Sequence, residues 1–293
     1  MALKVGIQLY SVRESLKKDP MDTLKKVAAA GFKYLETANH DITEHPGIGF
    51  PVPVQEMKKI LDDLDMQVIG AHFSPISEDG IDATLDYLAE LGVKQANCAN
   101  IEWYPYQDMD YVMRRCDDYN KIGAVLKKHG MKSYYHNHYM EFQKFGPENK
   151  CIEDIIMENT DPELVFLELD TYWVTRGGQS AVEYIKKYKD RLLLLHQKDF
   201  PSQAPQPIDM YDGVLNPTSN LDRVVFGATK NPRCFTEIGT GILPIQDFID
   251  AAGEAPNCQY IILEQDSTQL TEIESINRSM DAFHKFKGIE RCV

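Results

Sequence analysis

The sequence lacks long apolar runs and closely spaced cysteines. No apolar stretch reaches the ~18 residues that a membrane crossing needs, and none of the six cysteines forms a C-x-x-C pair. Scattered cysteines in a chain of this length are typical of reduced thiols in a cytoplasm rather than of a disulfide framework. The start, MALKVGIQLYSVRE, has no apolar core of a signal peptide. We therefore expect a cytoplasmic protein without a membrane partner.

The sequence is also short of positive charge. Its 31 Lys and Arg residues stand against 45 Asp and Glu residues, which gives a formal net charge of -14. A field of this sign repels phosphate backbones and argues against nucleic acid as a partner. It does not exclude a small anionic ligand, because a pocket can be locally positive. The apolar fraction of 43% and the charged fraction of 26% are ordinary for a globular protein.

Short apolar segments alternate with amphipathic helical segments along the whole chain. One helix is predicted to begin with Asp19 as its N-cap and Pro20 at its first position. Strict alternation predicts parallel strands covered by helices, and eight such units favour a closed (β/α)8 TIM barrel that forms one domain over 1–293. The predicted strands are 4–10, 32–38, 67–73, 94–100, 132–138, 164–170, 191–199 and 260–266, with 235–238 as an extra short strand.

A glycine-rich phosphate fingerprint is missing. An open, doubly wound sheet is the alternative fold, and it would need that fingerprint after an early strand. Segment 200–233 is rich in proline and too long for a plain connection. We predict that it forms a functional loop or lid.

Ionisable residues cluster at the carboxyl ends of otherwise apolar predicted strands. RLLLLH places His196 after four leucines, and YIILE places Glu264 after three aliphatic residues. Active sites of TIM barrels lie at this end of the strands. Burying such charges singly costs several kcal/mol unless they pair or bind a metal. The residues at these ends are Glu36, His72, His136, His138, Glu168, Asp170, His196, Lys198, Glu264 and Asp266.

One residue from each of the last four strands forms a candidate metal site. The set is His136, Asp170, His196 and Glu264. Mixed imidazole and carboxylate ligands suit a divalent ion such as Mn, Mg, Co or Zn. His136 and His138 share a face of their strand because side chains alternate, so either could be the ligand. We assign His136 to the metal and leave His138 as a proton carrier or substrate contact.

The remaining polar and aromatic residues at the barrel mouth are assigned to the substrate. Lys198 would hold a hydroxyl or phosphate oxygen, and Glu36 and Glu168 would orient ligands or sugar hydroxyls. Structural alternatives stay open: a lone histidine at a strand end is often a hydrogen-bonded structural residue, and EWYPY (102–106) could be loop packing instead of a pocket wall. The predicted substrate-binding residues are His72, Glu36, Glu168, Trp103 and Trp173.

Six short motifs together resemble the xylose isomerase-like barrel superfamily, in particular its sugar phosphate isomerase/epimerase branch. They are GIQLYS, YHNH, ELDTYW, LLHQKD, EIGTGIL and ILEQD, and they extend over nearly the whole chain. The resemblance implies a TIM barrel with one divalent metal at its mouth. Ketose 3-epimerases of this superfamily use a carboxylate, an aspartate, a histidine and a glutamate from strands five to eight. Asp170, His196 and Glu264 match the last three, whereas His136 replaces the first.

The resemblance implies proton removal beside the carbonyl of a sugar. The metal would bind the carbonyl and the neighbouring hydroxyl and stabilise the enediolate. Glu264 is the first candidate base, with His138 or His136 as the acid. The primary hypothesis is a metal-dependent sugar or sugar phosphate isomerase or epimerase. The histidine on strand five also resembles inosose dehydratases and enzymes that eliminate from 3-oxo-glycosides, so a lyase is the first alternative.

Further alternatives remain at this stage. They are a non-catalytic sugar-binding barrel and metal-assisted hydrolysis of a phosphate or glycosidic bond. Apurinic endonucleases share the barrel, but their three metals and DNA substrate fit poorly with this acidic chain and its short ligand set. The turn EIGTGIL is at best a weak anion site. A homodimer is compatible with such barrels, although no residue points to an interface.

Overall fold

The structure is a computed structural model that describes residues 2–77, 80–99 and 101–290. Eight parallel strands form one sheet in the order β3-β2-β1-β8-β7-β6-β5-β4, with helices between them, which confirms the TIM barrel. The strands are β1 (Lys4–Gln8), β2 (Tyr34–Asn39), β3 (Gln67–Phe73), β4 (Gln95–Asn97), β5 (Lys132–His136), β6 (Val165–Asp170), β7 (Leu192–Gln197) and β8 (Tyr260–Leu263).

A side chain bridges the two ends of this strand order. β3 and β4 are neighbours, yet within the described residues no backbone ladder joins them. The backbone N–H of Phe73 instead donates to Oδ1 of Asn97 at 3.1 Å, and Nδ2 of Asn97 lies 3.5 Å from the Phe73 carbonyl oxygen. The barrel is therefore nearly closed, with one seam held by an amide side chain.

The helices surround the barrel and begin where the sequence supplies caps. Asp19 accepts a hydrogen bond from the N–H of Asp22, as predicted, and Thr271 and Glu274 form a reciprocal capping box. None of the described helices has the length and apolarity that a membrane crossing requires. The helices are α1 (Arg13–Lys18), α2 (Pro20–Ala29), α3 (Val54–Asp63), α4 (Asp82–Glu90), α5 (Met109–Lys128), α6 (Ile152–Asn159), α7 (Thr171–Arg176), α8 (Ala181–Lys187), α9 (Arg223–Thr229), α10 (Ile245–Ala252) and α11 (Glu272–Phe283).

The interior of the barrel is filled with apolar side chains below the polar strand ends. Buried Ile69, Tyr134, Leu193, Leu194 and Ile262 form one cluster. They come from four strands and pack as the layers of a barrel core do. This plug leaves the ionisable residues at the carboxyl ends of the strands as the floor of an open mouth.

Several predicted boundaries are wrong, and those near the mouth bear on the site. β5 ends at His136, β7 at Gln197 and β8 at Leu263, so His138, Lys198 and Glu264 lie just beyond their strands. Residues 235–238 form no strand but one bridge between Asp199 and Thr236. The helices α1, α7 and α9 were not predicted. The cause is local: the polar side chains at these ends bind backbone groups and turn the chain early. Of the predicted strand 94–100, residue 100 lies outside the described residues.

Candidate active site

Four side chains from β5, β6, β7 and the end of β8 converge at the mouth. The donor atoms of His136, Asp170, His196 and Glu264 all lie within 4.8 Å of one another, and all four residues are buried. Nε2 of His136 is 3.5 Å from Oδ2 of Asp170 and 3.8 Å from Oε2 of Glu264. This nitrogen is buried and has no hydrogen-bond partner among the described residues. A divalent ion would satisfy it, so the residues fit such an ion.

A second charged cluster lies directly beside the first and shares His196 with it. Its members are Glu36, His72, Glu168 and His196. Nε2 of His196 lies 2.6 Å from Oε2 of Glu36 and 3.0 Å from Oε1 of Glu168, whereas its Nδ1 lies 3.1 Å from Oε2 of Glu264. Metal-binding histidines usually donate their second ring N–H to a carboxylate. The geometry thus suits metal binding through Nδ1, with Glu36 and Glu168 orienting the ring.

The second cluster pairs its histidines with its carboxylates. Nε2 of His72 lies 2.6 Å from Oε2 of Glu168 and 3.4 Å from Oε1 of Glu36. Burial alone would lower the pKa of His72, but Glu36 and Glu168 outweigh burial and raise it. Burial alone would also lower the pKa of His196, but Glu168 and Glu36 outweigh burial and raise this pKa well above its usual value. Close pairing of the two histidines with two carboxylates explains how this cluster tolerates burial, and His196 would lose its Nδ1 proton on binding a metal ion.

Lys198 holds the carboxylates of the first cluster. Its Nζ donates hydrogen bonds to Oδ2 of Asp170 and Oε2 of Glu264 and lies 4.0 Å from Oδ1 of Asp266. Burial alone would raise the pKa of Glu264, but Lys198 and His196 outweigh it and hold this pKa well below its usual value. Burial alone would lower the pKa of Lys198, but Asp170 and Glu264 raise it. Glu264 is therefore a carboxylate at neutral pH, suited to bind a cation.

His138 lies beside His136 and has a ring nitrogen without a hydrogen-bond partner among the described residues. Its ring centroid lies 4.9 Å from that of His136, and its buried Nδ1 has no hydrogen-bond partner in the described part of the chain. Burial, reinforced by His136, holds the pKa of His138 well below its usual value. The ring is therefore neutral at pH 7 and can accept a proton.

Glu141, which the sequence reading missed, fixes the turn that carries His138. Its carboxylate accepts hydrogen bonds from the backbone N–H of His138 at 2.8 Å and from the hydroxyl of Tyr135 at 2.7 Å. Burial raises the pKa of Glu141 to about 7. An available signal was the acidic residue three positions after His138, in a stretch otherwise free of charge.

A cavity of about 400 Å³ opens above these clusters. His72, Trp103, His136, His138 and Glu264 contribute to its wall. Asp266, which was predicted at a strand end without a role, also lines the cavity, and among the lining residues that were not predicted are Gln8, Tyr10, Phe226 and Lys230. The other predicted substrate-binding residues, Glu36, Glu168 and Trp173, are fully or almost fully buried and lie behind the wall, as does Lys198. Their contact with a substrate stays a prediction.

The sequence of this chain matches a known protein family and individual relatives. Residues 24–286 match the family described as xylose isomerase-like TIM barrel. The chain is 29% identical over 208 residues to an inosose dehydratase of Clostridium perfringens, a match that covers 63% of this chain and 65% of that protein. The match thus spans slightly less than two thirds of that curated relative.

Two solved structures share the fold. One, described as a sugar phosphate isomerase/epimerase from Parabacteroides distasonis, has a TM-score of 0.72 and 22% identity and covers 99% of this chain and 96% of its own. The other, described as IolI protein with a bound zinc atom, has a TM-score of 0.62 and 15% identity and covers 96% of each chain.

Proposed function

Because this chain belongs to the xylose isomerase-like TIM barrel family, we propose that it is a divalent-metal-dependent enzyme that removes the proton beside the carbonyl of a small keto-sugar or inosose. The convergence of His136, Asp170, His196 and Glu264 carries the proposal. The zinc atom named for the related IolI structure supports a divalent ion, without choosing among Mn, Mg, Co and Zn.

The side chains divide the work as follows. A divalent ion bound by the four residues would polarise the carbonyl and stabilise the negative charge that develops as the proton leaves. His138, whose ring lines the cavity, takes that proton. It replaces Glu264 as the first candidate base, because Glu264 is assigned to the metal and its Oε2 is already held by Lys198 and His196. Lys198 keeps Asp170 and Glu264 in place.

Elimination is the outcome that we favour, which makes the protein a lyase of the dehydratase type. The C–H proton goes to His138, a C=C bond forms, and the oxygen on the neighbouring carbon leaves as water after taking a proton. His72 lines the same cavity and supplies that proton, since Glu36 and Glu168 outweigh burial and raise its pKa. The Clostridium relative is an inosose dehydratase, and His136 stands where two-carboxylate epimerases carry an acid.

Epimerisation or isomerisation is the second candidate. It begins with the same proton removal and differs only in where the proton returns. The similarity over 99% of the chain to a structure described as a sugar phosphate isomerase/epimerase supports it. A barrel that only binds sugars would not need a free base beside a cation site.

Solvent deuterium tests the proposed step directly. The Mn-loaded protein is incubated in heavy water with a panel of ketoses and inososes, and substrates are followed by NMR and by the ultraviolet absorbance of an enone. We expect deuterium at the carbon beside the carbonyl, together with enone formation if elimination follows. His138→Gln should slow exchange at least 100-fold, whereas His284→Gln, at an exposed position, should not. Metal-loaded protein that exchanges no member of the panel would falsify the proposal.

A further inference from the structure

Asp266 and Lys230 lie together on the cavity wall, and the proposed mechanism uses neither of them. Both residues line the cavity, and Nζ of Lys230 lies 3.0 Å from Oδ2 of Asp266. Asp266 follows β8 and is 6% exposed, whereas Lys230 follows α9 in segment 200–233 and is half-buried. We call these two residues the charged pair. It joins the barrel to this segment at a place that a substrate can reach.

Oδ1 of Asp266 is available to a ligand in the cavity. It lies 4.0 Å from Nζ of Lys198, too far for a hydrogen bond, and no described residue donates a hydrogen bond to it. The same Nζ donates to Oδ2 of Asp170 and Oε2 of Glu264, two of the proposed metal-binding carboxylates. A sugar whose carbonyl lies at the metal-binding residues would therefore bring hydroxyls on more distant carbons towards Asp266.

The ammonium group of Lys230 is held in place by aromatic rings. Its Nζ lies 5.7, 5.5 and 6.0 Å from the ring centroids of Tyr10, Phe226 and Phe235. Such contacts attract the charge to the ring faces and use no oxygen acceptor. An ammonium group has three N–H donors, and among the described residues Asp266 is the only carboxylate paired with this one. Lys230 therefore keeps donors for a ligand.

Several other polar side chains of the wall are already engaged. Nε2 of Gln8 donates to Oε2 of Glu36 at 2.9 Å. Asn97 bridges β3 and β4, and the hydroxyl of Ser74 donates to the carbonyl oxygen of His40 at 2.9 Å. These groups therefore have less to offer a ligand than the charged pair.

Four backbone N–H groups after β7 are also taken before any ligand arrives. TIM barrels often bind the phosphate of a substrate with such groups near strands seven and eight. Here Oδ2 of Asp199 accepts from the N–H groups of Gly239 at 3.0 Å and Gly241 at 2.9 Å. Oδ1 accepts from those of Phe200 at 2.8 Å and Leu243 at 3.2 Å. The motif EIGTGIL thus binds a carboxylate of the chain itself, and side chains have to hold the far end of a substrate.

From these contacts we infer that the charged pair recognises two adjacent hydroxyl groups of the substrate, on carbons beyond those that react. Oδ1 of Asp266 accepts a hydrogen bond from one hydroxyl, and Nζ of Lys230 donates one to the other. The inference rests on the proposed function, which places the carbonyl at the metal-binding residues. It makes a vicinal diol a second requirement of the site, in addition to the keto group.

A deoxygenated ligand tests the inference by calorimetry on the Mn-loaded full chain. The ligands are scyllo-inosose, a pentahydroxycyclohexanone, and its analogue without the hydroxyl on the carbon opposite the carbonyl. This carbon lies beyond the reacting carbons whichever side of the carbonyl loses its proton. We expect the parent to bind about 10-fold more tightly, because the analogue loses a hydrogen bond to a charged group. Equal affinities, including no binding of either ligand, overturn the inference.

Two variants show whether the charged pair itself contacts the diol. Asp266→Asn and Lys230→Met should each weaken the binding of scyllo-inosose about 10-fold. The variant of the residue that contacts the missing hydroxyl should bind the analogue as the wild type does, so that the preference disappears. The other variant should weaken both ligands. A preference that persists in both variants would mean that the pair only holds segment 200–233 in place, and it overturns the inference, as does an unchanged affinity for scyllo-inosose in either variant.

Arg223→Gln is the matched control. Arg223 is a cation of the same wall, exposed and without a salt bridge in the described part of the chain. This variant should keep the preference, and its loss there would count against the charged pair. Equal affinity for Mn in all three variants shows that the metal site is intact. A preference without deuterium exchange would refute the proposed chemistry alone, and exchange without a preference would refute the diol recognition alone.

Discussion

At the scale of single residues, His196 connects two groups of acids through its two ring nitrogens. Nδ1 faces Glu264 and Nε2 faces Glu36 and Glu168. The sequence predicted that His196 lies at the mouth, because polar residues that end apolar strands must meet there. It could not predict which nitrogen faces which acid, since this depends on side-chain rotamers and on neighbouring strands. The same limit applies to Lys198, whose partners are Asp170 and Glu264 instead of a ligand.

Removing one ligand charge should remove the metal. In Asp170→Asn the remaining oxygen can still accept the hydrogen bond from the N–H of Trp173 that begins α7, so the fold should persist. We expect at least a 10-fold weaker affinity for Mn or Zn by calorimetry, because a carboxylate ligand is replaced by a neutral amide. Glu264→Gln should weaken the binding of Mn or Zn for the same reason. Asp281→Asn, at an exposed position, is the control. Unchanged metal content in Asp170→Asn would refute its assignment as a ligand.

At the scale of elements, sequence periodicity was informative in the middle of each strand and helix and failed at the ends. β3 was predicted with its observed bounds, Gln67–Phe73, because its apolar pattern runs to the last residue. α9, by contrast, has seven residues and no buried side chain. A helix of this kind carries no apolar periodicity for a sequence to reveal, and its position depends on contacts such as the hydrogen bond between Tyr139 and Thr229.

The turn before α10 offers a prediction at this scale. Gly241→Ala would force a methyl group against Asp199 and the Phe200 carbonyl. We expect the free energy of unfolding to fall by about 1–3 kcal/mol through overpacking. Hydrogen exchange should also accelerate at the N–H groups of 239–243. Gly227→Ala is the matched control, because a Cβ there meets nothing within 4 Å and alanine favours the helix. Equal stability of the two variants would show that the turn can relax away from Asp199.

At the scale of the whole molecule, alternation of strands and helices predicted the barrel, because eight parallel units have few other ways to bury both faces of a sheet. The site followed in outline, since TIM barrels place chemistry at one end. Segment 200–233 was predicted only as a functional loop or lid, without the residues that it contributes to the cavity wall. Phe226 and Lys230 reach the cavity only through long-range packing that no local pattern encodes.

Global stability should depend on pH through Glu141. Its pKa of about 7 in the folded protein lies above the usual 4.5, so the unfolded chain releases this proton first. The free energy of unfolding should therefore fall by about 3 kcal/mol between pH 4.5 and 7 from this group and level off above.

Urea unfolding of Glu141→Gln isolates this effect. A neutral amide cannot ionise, so the stability of the variant relative to the wild type should rise with pH through the same window. Glu254→Gln, at an exposed position, should run parallel to the wild type. A pH-independent difference between Glu141→Gln and the wild type would mean that the carboxyl is already ionised at pH 5.

The seam between β3 and β4 has a consequence for how the chain could be rearranged. Elsewhere around the cylinder each junction carries a ladder, whereas this junction relies on the amide of Asn97. A circular permutant with new termini between these two strands would lose the covalent link across the junction that has no ladder in the described residues, whereas the old termini would meet where residues 3 and 289 already form a parallel bridge. The junction beside His72 is thus the place where closure of the barrel depends most on the covalent continuity of the chain.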